Sequence, residues 1–349
     1  MAWTDSFRRP GILAALAAAL LFGAGTPLAK GLLGDVSPWL LAGLLYLGSG
    51  LGLTLYRRLI RAPAVRLPRR EAWWFAGAIM SGGIIGPVLL MIGLSVLPAS
   101  GASLLLNAEA VFTALLAWLA FKENVDQRIA LGMLSIVAGA IVLSWPGDVQ
   151  FARLWPSLAV LGACFAWGID NNLTRKISLS DATWIAAVKG MVAGLVNLLL
   201  AFSLGASLPS ISTVGGALSV GLLAYGVSLA LFVIGLRHLG TARTGAYFSV
   251  APFFGALLAV AMGEPLTPQL IVAGGLMAMG TWLHLSERHE HEHRHETVVH
   301  EHEHQHDDHH RHEHEVAVSA GTRHRHAHTH PALKHLHAHF PDTHHRHSH

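Results

Sequence analysis

Four ionisable residues stand inside otherwise apolar runs: Lys30, Glu109, Asp170 and Lys189. A charged side chain at membrane depth costs at least ~2.5–3.5 kcal/mol by insertion scales, so each needs a role. Glu109 is central in "LLLNAEAVFTALL", where a carboxylate can accept a proton or hold a cationic group of a solute. Lys189, in "ATWIAAVKGMVAGL", can hold a carboxylate or neutralise Glu109; a permanent Glu109–Lys189 ion pair, or two unrelated pairs tying the halves together, is the purely structural alternative. Lys30 and Asp170 stand later in their runs, near enough to an interface to snorkel. Asn107, Trp167, Tyr225 and Tyr247 are polar-tipped groups suited to lining a cavity. Pro27, Pro87 and Pro252 place helix breakers inside apolar runs, and the carbonyls they free can bond a substrate. The glycines of "GGIIG" (82–86) and "GMVAG" (190–194) read instead as surfaces for close helix packing.

A second chemistry lies at the C-terminus. His291, His293, His295, His300, His302, His304, His306, His309, His310, His312 and His314 put eleven imidazoles into 25 residues, interleaved with glutamate and aspartate. Spacings of two and four can bring several imidazoles to one ion, and neutral imidazole suits Zn, Ni and Co. Such binding competes with protonation and weakens below about pH 6.5. Residues 287–349 carry little to bury, so this tail is expected to be disordered alone. A charge-buffering tail without a metal is the plainer alternative.

The remainder is oil. Hydrophobic residues make up 52% of the 349 and charged residues 13%, with most charge in short clusters and the tail. Ten apolar stretches are candidate membrane helices: 11–33, 36–56, 72–94, 98–120, 128–145, 152–174, 182–203, 213–236, 241–262 and 268–286. With the N-terminus in the cytoplasm, inside segments hold fourteen Lys and Arg and outside segments at most two, Arg153 and Lys30. The positive-inside rule therefore puts both termini and the tail on the cytoplasmic side of the plasma (inner) membrane. The same placement makes the basic residues a topology signal, not a nucleic-acid surface. Cys164 is the single cysteine, so no internal disulfide exists.

"GLSVLPASGASLLLNAEAVFTALLA" (93–117) aligns with "GLRHLGTARTGAYFSVAPFFGALLA" (235–259) at an offset of 142, and Glu123 and Glu264 follow at 141. Five spans per repeat force the second half upside down, the architecture of many secondary transporters. The expected fold is an all-α integral membrane protein of ten helices in two inverted repeats, 1–150 and 151–286, with the tail at 287–349.

The chain resembles EamA-type permeases of the drug/metabolite transporter superfamily. The resemblance rests on "AALLFGAGTPLAKGLL", "SLLLNAEAVFTALLAWLAFKE", "ACFAWGIDNNLTRK" and "GTARTGAYFSVAPFFGALLAVAMGEPLT". Where such permeases carry Glu-Pro in the fourth helix, this chain has Glu109-Ala110, while Pro252 is present in the other half. The resemblance implies that spans 4 and 9 meet centrally, that spans 5 and 10 are peripheral, and that the substrate is a small organic molecule. A site between spans 1, 3, 4, 6, 7, 8 and 9 follows, with no required cofactor. A Ni, Co or Zn exporter loaded by the tail is a second reading, and a membrane-anchored metal buffer or sensor a third. Spans 1–9 contain no histidine, which argues against a metal conduit. There is no nucleophile elbow, phosphate loop or helical zinc motif, so an enzyme is not expected, and nothing sets a homo-oligomeric state.

Overall fold

The computed structural model describes residues 10–34, 36–65, 67–121, 127–145, 154–177, 180–239 and 247–285, and 290–294, 298–304, 324–330 and 334–338 in the tail. The chain divides into two units, Met1–Glu287 and Arg288–His349. The described residues of the first form helices joined by short turns and loops, without a strand.

Long apolar runs become helices because hydrocarbon leaves no other partner for the backbone. Helices α1 (Pro10–Leu32) and α2 (Pro38–Leu59) are uninterrupted. The third run is compound: α3 (Arg69–Ala78), a π-helical segment (Ile79–Ile85) and α4 (Gly86–Val96). Then come α5 (Ala99–Leu105), α6 (Ala108–Phe121), α7 (Gln127–Ser144), α8 (Trp155–Arg175) and α9 (Ala182–Ser203). The eighth run is compound like the third, with α10 (Ile211–Gly221), a π segment (Leu222–Val227) and α11 (Ser228–Leu239). Helices α12 (Ala251–Ala261) and α13 (Pro268–Leu285) complete the unit.

Six runs are long and apolar enough to cross a membrane, while 130–144, 251–261 and 268–283 are shorter apolar helices. The described part of the ninth stretch is cut because Pro252, near the start of α12, follows a turn at 249–250. Leu119, Leu134, Leu199 and Trp282 face outward, as a surface in hydrocarbon requires.

Packing is symmetric under exchange of the two halves. Helix α2 packs on α9 and α7 on α13; α1 packs on α11 as α8 does on α4, and on α12 as α8 does on α6. Small residues permit these approaches. A Cβ on Gly190 would stand 2.6 Å from the Gly50 amide nitrogen, and one on Gly255 2.6 Å from the Gly23 carbonyl.

The tail is a separate unit. Expected to be without regular structure, it carries strands β1 (Glu290–Arg294), β2 (Val298–His304), β3 (His324–His330) and β4 (Lys334–Ala338). Antiparallel ladders join β1 to β4 and β2 to β3. The alternating His-Glu pattern has the period of two that a strand takes. His300, His302 and His304 stand opposite His328, His326 and His324. His291 and His293 fall in β1; His295, His306, His309, His310, His312 and His314 lie outside the described residues.

Candidate functional site

A cavity of about 490 Å³ opens among the helices of the first unit. The α5–α6 junction and α6 supply Leu106, Asn107, Glu109, Ala110 and Thr113; the start of α12 and the residues before it supply Phe248, Ser249, Ala251 and Pro252. At the repeat offset of 142, Leu106 pairs with Phe248, Asn107 with Ser249, Glu109 with Ala251 and Ala110 with Pro252. All eight line the cavity. Helix α1 adds Phe22, α8 adds Asn171 and Asn172, α7 adds Ile136 and α13 adds Thr281. The expected arrangement changes here. Spans 5 and 10 contribute to the wall, whereas spans 3, 7 and 8 contribute no lining residue among the described residues.

Glu109 is half-buried in mid-run, and the surface it shows belongs to the cavity. Asn171 Nδ2 donates to its Oε1 at 2.8 Å and to Thr113 Oγ1 at 3.2 Å. Asn172 Nδ2 donates to Gly168 O (2.8 Å) and Thr113 O (3.1 Å). Asn107 Nδ2 donates to Leu104 O (2.9 Å), while its Oδ1 accepts from Thr281 Oγ1 (3.4 Å).

Lys189 does not reach Glu109. It pairs with Asp170, which also accepts from Thr174 Oγ1 at 3.0 Å, and so ties α9 to α8. Both members are largely buried, so the attraction is little screened. A Cβ on Gly82 would strike the Asp170 carboxylate, which seats the pair against the first π segment. Lys30 lies elsewhere: its Nζ donates to Leu94 O at 2.7 Å and Ser95 O at 3.2 Å.

The prolines behave differently from one another. Helix α1 runs through Pro27 to Leu32, so no helix break occurs there. The carbonyl that Pro27 leaves without its helical amide is that of Gly23, which packs against Gly255. Pro87 follows the first π segment, and the carbonyls behind it are taken by side chains. Gly82 O accepts from Tyr46 Oη (2.8 Å) and Trp167 Nε1 (2.9 Å), and Gly83 O from Asn197 Nδ2 (3.2 Å). The protein itself therefore satisfies the carbonyls that were expected to await a substrate. Pro252 begins α12 and does line the cavity.

Tyr225, in the second π segment, packs its ring at 5.6 Å from Tyr46 and 5.8 Å from Phe22. Tyr46 therefore touches both π segments, bonding one and stacking on the other. Tyr247 is half-buried just before α12 and is not a lining residue. Sequence reasoning did not select Asn171, Thr113, Thr281, Phe22 or Phe248. Asn171 was the most accessible of these, as a polar residue one step from Asp170 in an apolar helix.

The conspicuous Glu264 closes one end of the bundle. Its two oxygens accept from Ala99 N (2.6 Å) and Ser100 N (2.8 Å), capping α5. Gly263, at φ 108°, turns the chain so that Glu264 can reach back. Glu123, its counterpart, lies outside the described residues.

An uncharacterized transporter of Methanothermobacter thermautotrophicus is 28% identical over 295 residues, 78% of this chain and 85% of its own length. The uncharacterized transporter YyaM of Bacillus subtilis is 22% identical over 212 residues, 57% of this chain and 69% of its own. A protein of known crystal structure, 19% identical, superposes with a TM-score of 0.59 over 77% of this chain and 94% of its own, and so shares the fold. The EamA-like transporter family matches twice, over residues 9–145 and again over 154–286. Those two matches cover most of the chain and every residue of the cavity, and the protein is an integral membrane transporter of the EamA-like family.

Proposed function

We propose that this transporter is a permease that moves a small organic solute by alternating access between two inverted five-helix repeats. The observation that carries the reading is the cavity itself, built from four pairs of positions one repeat apart. A site at the junction of two like halves can be offered to either side as they rock against each other. The fourteen-to-two charge bias supports ten spans with both termini in the cytoplasm of the plasma (inner) membrane. Glu109 is the substrate or proton group in this reading, and the Lys189–Asp170 pair a structural joint. Lys30 and Glu264 tie the loops at one end of the bundle.

The tail binds a divalent transition metal (Zn, Ni or Co) and acts as a store or regulator. Its histidine content supports this, and the transport step needs no cofactor. A metal exporter loaded by the tail is the competing reading. The amides, hydroxyls and one carboxylate that line the cavity among the described residues suit an organic solute better than zinc or nickel. The experiment is growth of cells carrying the full chain, a chain stopped after Ser286, or Glu109→Gln, on toxic metabolite analogues and on Ni, Co and Zn salts. Analogue resistance that survives truncation and fails in Glu109→Gln is the expected result. Metal tolerance alone, needing both tail and Glu109, would establish the exporter instead.

A further inference from the structure

We infer that the cavity selects a small organic cation, a protonated primary or secondary amine on an apolar body, and discriminates against solutes bearing a carboxylate. The inference rests on the permease reading only for the claim that the bound amine is then moved.

The first support is charge. Glu109 is the one charged side chain lining the cavity among the described residues. Lys189 is held by Asp170 and Lys30 by the carbonyls of Leu94 and Ser95, so neither offers an ammonium to an acid in the cavity. A carboxylate solute would meet Glu109 without a described cation to offset the repulsion, whereas an ammonium would neutralise it.

The second support is the direction of the hydrogen bonds. Each of the three wall amides has two acceptors for its two N–H hydrogens. For Asn107 these are Leu104 O and Met277 Sδ, for Asn172 Thr113 O and Gly168 O, and for Asn171 Glu109 and Thr113 Oγ1. Backbone carbonyls only accept, which fixes the orientation of Asn107 and Asn172; an ionised Glu109 fixes that of Asn171. With the amide donors engaged, Glu109 Oε2 and the Oδ1 atoms of Asn171 and Asn172 remain as acceptors without a described donor. An ammonium brings up to three donors and no acceptor, the complement of that set.

The third support is the wall opposite. Phe22 and Phe248 both line the cavity, with ring centroids 5.3 Å apart, beside Leu106 and Ile136. They give an apolar body a place to lie while its ammonium reaches Glu109. Asn171 is a positioning residue here: its amide aims one carboxylate oxygen and leaves the other for the ligand.

The test uses full-length protein in nanodiscs and calorimetric titration with 2-phenylethylamine, phenylalanine and phenylacetate, which share a ring and differ in charge. The expected order is amine first, with both carboxylates about tenfold weaker or more. Glu109→Gln should weaken the amine roughly 10- to 100-fold, and Asn171→Leu by less. An amine that does not bind, a carboxylate that binds as tightly, or amine affinity unchanged in Glu109→Gln would each overturn the inference. The solute comparison uses unmodified protein, so a poorly folded variant does not blunt it. Counterflow of labelled amine in proteoliposomes separates the two claims. Amine binding without flux would refute the permease and leave the amine site standing. Flux of phenylacetate that the amine does not inhibit would do the reverse.

Discussion

The two repeats build one cavity from equivalent positions and give it different chemistry. The first half contributes Asn107 and Glu109; the second contributes Ser249 and Ala251 at the same places. Their π segments differ in the same sense. Three side chains from α2, α8 and α9 bond the carbonyls of Gly82 and Gly83, and the Lys189–Asp170 pair lies against that segment. The segment at 222–227 meets its surroundings at Tyr225 through ring packing. The frame is symmetric in packing, but its chemistry is not: charge and side-chain hydrogen bonds gather around the first π segment and Glu109, where Tyr46 of the first half meets Trp167, Asp170, Asn171, Lys189 and Asn197 of the second. The equivalent places around Ala251 and the second π segment are the apolar side.

The largest effect should come from the joint at the first π segment. Asp170→Asn or Lys189→Met alone leaves a partner uncompensated and should destabilise by about 3–5 kcal/mol. The double change Asp170→Leu with Lys189→Met should cost far less, both read from thermal unfolding in detergent. Equal losses in single and double variants would mean that the pair is not the anchor.

Next is Glu109→Gln, expected to lower transport about 100-fold, ~2.8 kcal/mol. Moving the carboxylate across the repeat, with Glu109→Ala and Ala251→Glu together, should not restore it. Asn171 stands beside position 109, and recovery would show that the halves are interchangeable after all.

A smaller contrast separates the tyrosines. Tyr46→Phe removes a bond to Gly82 O that Trp167 shares, at about 1 kcal/mol, whereas Tyr225→Phe should change stability by only a few tenths. Equal effects in the unfolding measurement would erase the difference between the π segments.

The narrowest contrast is between the helix caps at matching places in the halves. Asp181 caps α9, accepting from Thr183 N at 2.8 Å and pairing with Arg57 at 2.9 Å; Ser37 caps α2 through a 3.4 Å bond to Leu40 N. Asp181→Ala should cost about 1 kcal/mol and Ser37→Ala about half that. Burial raises the Asp181 carboxyl, but bonds from Thr183, Arg57 and Trp184 outweigh it and hold it at about 2, below its ordinary 3.8. Its contribution is therefore complete above about pH 4 and is lost as pH falls through about 2. The difference in stability between wild type and Asp181→Ala should shrink over that window, and that for Ser37→Ala should not.

The helices were legible because hydrocarbon demands long apolar runs, and the repeat because two 25-residue stretches align without a gap. Glu109 was legible as a carboxylate in a run that should exclude one. Its lack of a lysine partner was not. Whether Lys189 meets Glu109 or Asp170 depends on how α8 and α9 meet across the first π segment, on which both pack. The prolines announced freed carbonyls, yet only the packing of Tyr46, Trp167 and Asn197 shows who takes them. Glu264 stood out as a repeat marker, but its bond to α5 joins residues more than 160 positions apart. Spans 5 and 10 were read as outer helices, and single side chains, Ile136 and Thr281, bring them to the cavity.

A π segment is an α-helix with one residue too many, since each turn bonds five back where four would serve. The segments at Ile79–Ile85 and Leu222–Val227 begin 143 positions apart, the spacing of the repeat to within one residue. The surplus residue thus stands at matching places in the two repeats. One residue adds about 100° of rotation to everything after it. Deleting one residue from 79–85 should let the run close into an α-helix and swing the face of α4 off α8, a change no point substitution reproduces.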